Sequence, residues 1–291
     1  MAALAAHAAA NPADPCVVFP DQHGEWRWRS WRWLAARATA YAQALDGVPA
    51  GSAVGYPWRP QPEALAADLG IQAAGAVAVP ASLEGGPSLP PLVRWLAIDG
   101  GEGPREVTAV TVAAEADAVQ RHLGEDVTEL PPLPAESRAP GTAGALVRHA
   151  DAWLPWGERQ AESAARALVR PPSARETRPI ALVSGNLAAA PERAWIGWAL
   201  AAGACLVLPG DAALAAWGLW WPRPTDACLP VESLAGLRAL FASFGTPRRC
   251  RRQLARLQRL VVWGNEPASE EVAAWAELGV AVQRFPVKAL R

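Results

Sequence analysis

The chain has 291 residues, 51% hydrophobic and 19% charged, with a net charge of −1 and a pI near 6.4. That apolar content excludes a disordered chain, and the length supports one large domain or two lobes, burying about three quarters of the unfolded surface. The balanced charge excludes a general pull toward nucleic acid or an anionic membrane.

Fifteen tryptophans stand beside one methionine, two tyrosines and four phenylalanines. Each indole buries a large area and needs an acceptor for its N–H, so core and lobe-contact positions are expected, with some left to line a partner surface or apolar pocket. Cys16, Cys205, Cys228 and Cys250 form no C-x-x-C pair, which excludes zinc ribbons and thioredoxin-like motifs. Cys205 lies in an apolar run and is expected to be a buried small hydrophobe. The Ala-rich start, residues 1–10, has no basic segment and makes a poor signal peptide. No apolar stretch is long and clean enough to span a membrane, so the expected setting is the reducing cytoplasm.

Residues 1–15 read as a short helix ending at Asn11-Pro12. Cys16 to Phe19 is an apolar strand, Asp21 to Gly24 a turn, and Trp26 to Arg29 an alternating strand, together a hairpin. Ser30 is an N-cap for a helix from Trp31 to about Leu45, whose apolar residues Trp31, Leu34, Ala38, Tyr41 and Leu45 fall on one face. Ala53 to Tyr56 is a strand, Glu63 to Ala74 a helix, and Gly75 to Pro80 a second apolar strand. This spacing is that of a βαβ unit with parallel strands.

The run Glu63-Ala-Leu-Ala-Ala-Asp-Leu-Gly-Ile-Gln-Ala-Ala-Gly-Ala-Val-Ala-Val-Pro80 resembles the "ALLGILRAGAVAVPL" stretch of the adenylate-forming superfamily of acyl-CoA synthetases, luciferases and peptide-synthetase adenylation domains. Upstream, Trp26 to Leu34 is similar to the family's "TYRELAERA", and Val48-Pro-Ala-Gly-Ser-Ala-Val54 to its "GVRPGDRV". The resemblance implies an α/β fold of two stacked αβα lobes with largely parallel sheets, like the N-terminal domain of acyl-CoA synthetases, lacking the small C-terminal domain.

Beyond Pro80, a helix is expected over Leu89 to Ile98, a strand over Val107 to Val112 and a helix over Glu115 to Leu123. Pro-rich stretches near 128–140 and 171–178 read as linkers, which divides the chain into lobes at about 1–138 and 139–291. Gly141-Thr-Ala-Gly144 is a flexible turn able to wrap phosphate with backbone N–H groups, or a plain turn. It resembles the first half of the family's phosphate loop, Ser/Thr-Gly-Thr-Thr-Gly-x-Pro-Lys-Gly. The second half, with its lysine, is absent, and Lys288 is the only lysine in the chain. His149 beside Asp151 reads as a base with its orienter, or as a solvated or capping histidine; no nucleophile is placed near it. A helical stretch is expected from there through Trp153 and Trp156 to about Val169.

Pro179 to Val183 is a strand, Pro191 to Ala202 a helix and Gly203 to Pro209 a strand, giving a second βαβ unit. Its "ALAAGACLVLPG" resembles the family's "LLAGATVVLLP". At the intervening turn the family presents a histidine and an aromatic to the acyl pocket; here the turn is Asn186-Leu-Ala-Ala-Ala190, and Asn186 is the candidate pocket residue. Asp226 to Pro230 is a strand. Arg248 to Arg252, with Arg256 and Arg259, is the one basic run: a nucleic-acid or acidic-partner patch, or the solvated side of a short helix, since no aromatics interleave it. Leu257 to Trp263 is a strand, Ser269 caps a helix to Glu277, and Val280 to Val282 is the last strand. Gly264-Asn-Glu-Pro267 resembles the family's "GGAPL". Where the family has Tyr-Gly-x-Thr-Glu, stacking adenine and holding Mg²⁺, this chain has Phe285-Pro-Val-Lys-Ala-Leu290, without a carboxylate in either register.

Adenylation requires charge neutralisation around a triphosphate, a bridging metal and an in-line carboxylate. The resemblance locates a degenerate nucleotide site at Gly141, Thr142, Gly144, Gly264, Asn265 and Glu266. No catalytic residue, metal site or cofactor is expected. The expected role is a pseudoenzyme that binds an acyl or aryl group, a carrier protein or another chain, including a second copy, with no nucleic-acid partner. The alternative is an active ligase using ATP and Mg²⁺, completed by a second chain.

Overall fold

The computed structural model describes residues 2–81, 89–98, 108–111, 143–149, 152–168, 178–183, 186–210 and 212–285. In chain order the elements of the first half are α1 (Ala2–Ala10), β1 (Pro15–Pro20), β2 (Trp26–Ser30), α2 (Trp31–Ala44), β3 (Ala53–Pro57), α3 (Pro62–Ala73), β4 (Val77–Ala81), β5 (Arg94–Ala97), β6 (Ala109–Thr111) and β7 (Ala143–His149). There follow β8 (Ala152–Gly157), α4 (Glu158–Leu168), β9 (Ile180–Val183), α5 (Ala190–Ala201), β10 (Cys205–Val207), α6 (Ala212–Trp220), β11 (Asp226–Pro230), α7 (Leu234–Ser243), α8 (Pro247–Leu254), β12 (Arg259–Trp263), α9 (Ser269–Glu277) and β13 (Val282–Arg284). These residues gather into two units that interleave along the chain. Met1–Asp14, Arg29–Arg159 and Leu187–Ala190 form the first; Pro15–Trp28, Gln160–Asn186 and Pro191–Arg291 form the second.

The first unit holds a six-stranded sheet ordered β6-β5-β3-β4-β7-β8. Its pairings are parallel except for the β7–β8 hairpin. The expected βαβ unit is β3–α3–β4, with Val54 opposite Ala78. Ser30 caps α2 by accepting the Trp33 N–H at 3.1 Å. α3 approaches α2 at Gly70, where a Cβ would lie 2.5 Å from Tyr41 Cβ. Arg37 donates to Glu63 at 2.8 Å and Tyr41 to the same carboxylate at 2.9 Å, so the polar groups buried beside this crossing are satisfied.

Two stretches that read as helical in sequence are strand. Leu89 to Ile98 is no helix: Arg94–Ala97 is a strand pairing with β3 and β6. Trp95 packs its ring on Gly55, where an added Cβ would meet Trp95 Cε3 at 2.7 Å, and that space fixes the strand. Trp153 to Trp156 is also strand, because it closes a hairpin on β7, with Leu154 opposite Val147. Pro155 is tolerated there because β8 is the edge of the sheet. The helix expected over Glu115 to Leu123 and the linker over 128–140 lie outside the described residues.

The second unit holds a seven-stranded sheet ordered β13-β12-β11-β9-β10-β1-β2. The run from β13 to β1 is parallel throughout. β1 and β2 form the expected hairpin, its turn closed by the Gly24 N–H donating to the Asp21 carbonyl at 2.9 Å. Leu182, Val207, Leu229, Leu237, Phe241, Leu260 and Trp275 build the core beside the sheet. Ser269 is the first residue of α9 rather than its cap; Ala268 holds the cap position without a side-chain bond. All four cysteines are free and buried. Trp95, Trp195 and Trp275 are fully buried, yet their indole N–H groups find no acceptor among the described residues, against the expectation from composition. No described helix is long and apolar enough to cross a membrane.

Candidate functional site

Because β9, β11, β12 and β13 run parallel, their C-terminal ends share one edge of the second unit's sheet. Such an edge is where open α/β sheets place ligands. Asn186 stands three residues beyond the last residue of β9, exposed, just ahead of α5. Gly264, Asn265 and Glu266 form the exposed turn after β12. Gly264 takes φ +102°, a conformation that side-chain-bearing residues rarely adopt, and a Cβ there would lie 3.3 Å from Val231 Cγ1. Phe285 follows β13, is buried, and donates its N–H to the Val262 carbonyl at 2.7 Å.

Glu192 joins these pieces. It is fully buried in the first turn of α5, where a carboxylate faces the helix's free N–H groups. One carboxylate oxygen accepts the backbone N–H of Asn186, and the other accepts the Trp263 indole N–H at 3.2 Å. The turn after β9 and the end of β12 are thereby tied to one side chain. Sequence reasoning missed Glu192 and Trp263; the acidic residue near the start of α5 was the available local signal. Burial, and then the Glu192 carboxylate, push the neighbouring Cys228 thiol well above its ordinary pKa.

The structure thus brings Asn186 and Gly264–Glu266 to one edge. Gly144 is buried in β7 of the first unit, beside Ala145, which pairs with Ala78 of β4. Gly141 and Thr142 lie outside the described residues, as do Lys288, Ala289 and Leu290, while His149 lies in β7 opposite Ala152 and Asp151 is outside. Arg148 donates its N–H to the Ala188 carbonyl at 2.7 Å, which binds residues 187–190 to the first unit.

No lysine or arginine occurs in residues 186–190 or 264–268, and Glu232 and Glu266 add negative charge at that edge. Among the described residues no group of three His, Cys, Asp or Glu side chains could hold a metal ion. The turns 186–190 and 264–268 therefore offer no cation to a triphosphate.

Two α/β units interleaved along the chain, each built on a largely parallel sheet, form the same fold as the N-terminal domain of an acyl-CoA synthetase. Residues 4–88 match the family model of AMP-binding enzymes. The N-terminal domain of FACL13 from Mycobacterium tuberculosis superposes with a TM-score of 0.71 at 15% identity, over 97% of this chain and 74% of that one. CmiS6 gives 0.71 at 19% identity, over 97% of this chain and 69% of that one. The nonribosomal peptide synthetase FmoA3 in its AMPPNP-bound form gives 0.75 at 18% identity, over 96% of this chain but 30% of that one. No curated protein matches the sequence.

Proposed function

We infer that the chain is a non-catalytic, adenylate-forming-enzyme-like subunit whose role is to bind, either an acyl or aryl group or another protein chain. The supporting observation is the edge around Asn186 and Gly264–Glu266. Its turns contain no cation, its exposed carboxylates repel phosphate, and Glu192 is engaged by Asn186 and Trp263. The sequence adds the shortened phosphate loop and the absent carboxylate after Phe285. A binding role needs the scaffold but none of the charges that adenylation requires, so the fold is kept while the chemistry is lost.

A second reading is an ATP- and Mg²⁺-using ligase whose lysine comes from a second chain. It is favoured by the similarity to FmoA3, which was solved with AMPPNP. Calorimetry of the purified chain with ATP and Mg²⁺ separates the two. The expected result is no heat of binding at micromolar affinity. Micromolar binding would overturn the non-catalytic reading.

A further inference from the structure

We propose that the surface formed by α8 and the end of α6 docks an acidic helix of a partner protein; this rests on the reading of the chain as a binding subunit. Between Glu232 and Glu266 the sequence holds seven arginines and no acidic residue. Two of them have carboxylate partners, Arg238 with Glu271 at 2.8 Å and Arg259 with Asp226 at 2.7 Å. The other five, Arg248, Arg249, Arg251, Arg252 and Arg256, are exposed and form no ion pair among the described residues. α8 buries Cys250 and Leu254 and turns its arginines outward.

Arg248 and Arg252 lie one helical turn apart, and Arg249 and Arg252 three residues apart. Like charges at these spacings disfavour a helix, so the face is relieved by carboxylates from outside. A partner helix carrying glutamates at the same spacing presents them in register, and guanidinium forks bind carboxylates in a bidentate manner.

The adjoining aromatics supply the apolar part. Trp217 is 45% exposed and Trp221 51%. Arg249 lies 4.9 Å from the centroid of Trp220, and Arg223 donates to the Arg252 carbonyl at 3.2 Å, so the aromatic and basic parts form one surface. Tryptophan and arginine are the residues that dominate protein interfaces.

The geometry favours a protein over the other polyanions. Single-stranded nucleic acid needs free ring faces for its bases. Here Trp217 is stacked on Phe244 at 4.4 Å, Trp220 is covered by Arg249, and Trp221 leans on Trp26 at 5.9 Å. A membrane surface needs a continuous apolar helix face. Trp217 is the one exposed residue in the 214–220 stretch of α6, and the apolar residues of α8 are buried.

The test uses the full chain and a fluorescent helical peptide of roughly 20 residues with glutamates at i, i+3 and i+4 and one row of leucines. Its control carries glutamine for every glutamate. Anisotropy is expected to show salt-sensitive binding of the glutamate peptide alone. Binding should weaken about tenfold or more in Arg248→Glu/Arg252→Glu, and less in Arg248→Gln/Arg252→Gln. Circular dichroism checks that both variants fold. Absence of peptide binding, equal binding by the charge-reversed variant, or stronger binding of oligothymidylate or phosphatidylserine vesicles would overturn the proposal. ATP binding in calorimetry with peptide binding intact would remove the non-catalytic reading and leave this surface standing.

Discussion

The Arg259 guanidinium donates from Nε to Asp226 at 2.7 Å and from Nη1 to the Leu168 carbonyl at 2.7 Å, over the rings of Trp195 and Trp198 at 4.7 and 4.4 Å. Asp226 is fully buried, so removing the arginine takes the ion-pair partner from a carboxylate in the core that keeps its hydrogen bond from Thr225. Arg259→Met is expected to cost about 3–5 kcal/mol in urea unfolding. Arg259→Lys keeps the charge but loses the fork and the stacking, and is expected to destabilise as well. The cysteines give a pH prediction. Burial raises the Cys205 thiol from its ordinary 9.0 to about 11, and burial likewise lifts Cys16 well above its ordinary value. A folded pKa above the unfolded one gives stability that is complete below the unfolded value and fades as the pH climbs through the folded one. The melting temperature is therefore expected to fall between pH 9 and 11. At neutral pH a thiol reagent should label none of the four buried cysteines until the chain is denatured.

At the scale of elements, the same substitution should act with opposite sign in two helices. In α3, a Cβ at Gly70 would sit 2.5 Å from Tyr41 Cβ and 2.6 Å from the Ala38 carbonyl oxygen, both on α2. Overpacking outweighs the helix propensity gained, so Gly70→Ala is expected to lose about 1–2 kcal/mol. In α7, Gly236 is exposed with nothing within 4 Å, so Gly236→Ala should gain about 0.5–1 kcal/mol. Thermal melts of the two variants check both. α8 adds a trade-off between stability and binding. Arg248 lies near the N-terminus of a helix whose first turn has no acidic residue. Arg248→Glu should raise the melting temperature by about 2 °C while weakening the acidic peptide, a loss of binding that destabilisation cannot explain.

For the whole molecule, the interleaving of the units decides which fragments can fold. The Pro-rich stretch near 128–140 divides the sequence at about 1–138, but β7 and β8 complete the sheet that begins with β3 and β4. A fragment of residues 1–138 would leave the β4 edge unpaired along an apolar strand, which invites aggregation. It is expected to melt without a cooperative transition in circular dichroism, unlike the full chain.

Sequence alone determined what depends on local pattern. The runs 53–57 and 77–81 around α3, and 180–183 and 205–207 around α5, are apolar, short and spaced by one helix each, so both βαβ units were legible. So was the arginine face of α8, written in consecutive residues. Tertiary structure decided what depends on distant partners. The 89–98 stretch reads as a helix in sequence, and only the space that Gly55 gives Trp95 makes residues 94–97 a strand. Glu192 gains its role only when folding brings Asn186 and Trp263 to it. Which stretch of the chain completes which sheet was likewise hidden, because strand pairing is set by long-range hydrogen bonds and shared burial, and neither leaves a mark on neighbouring residues.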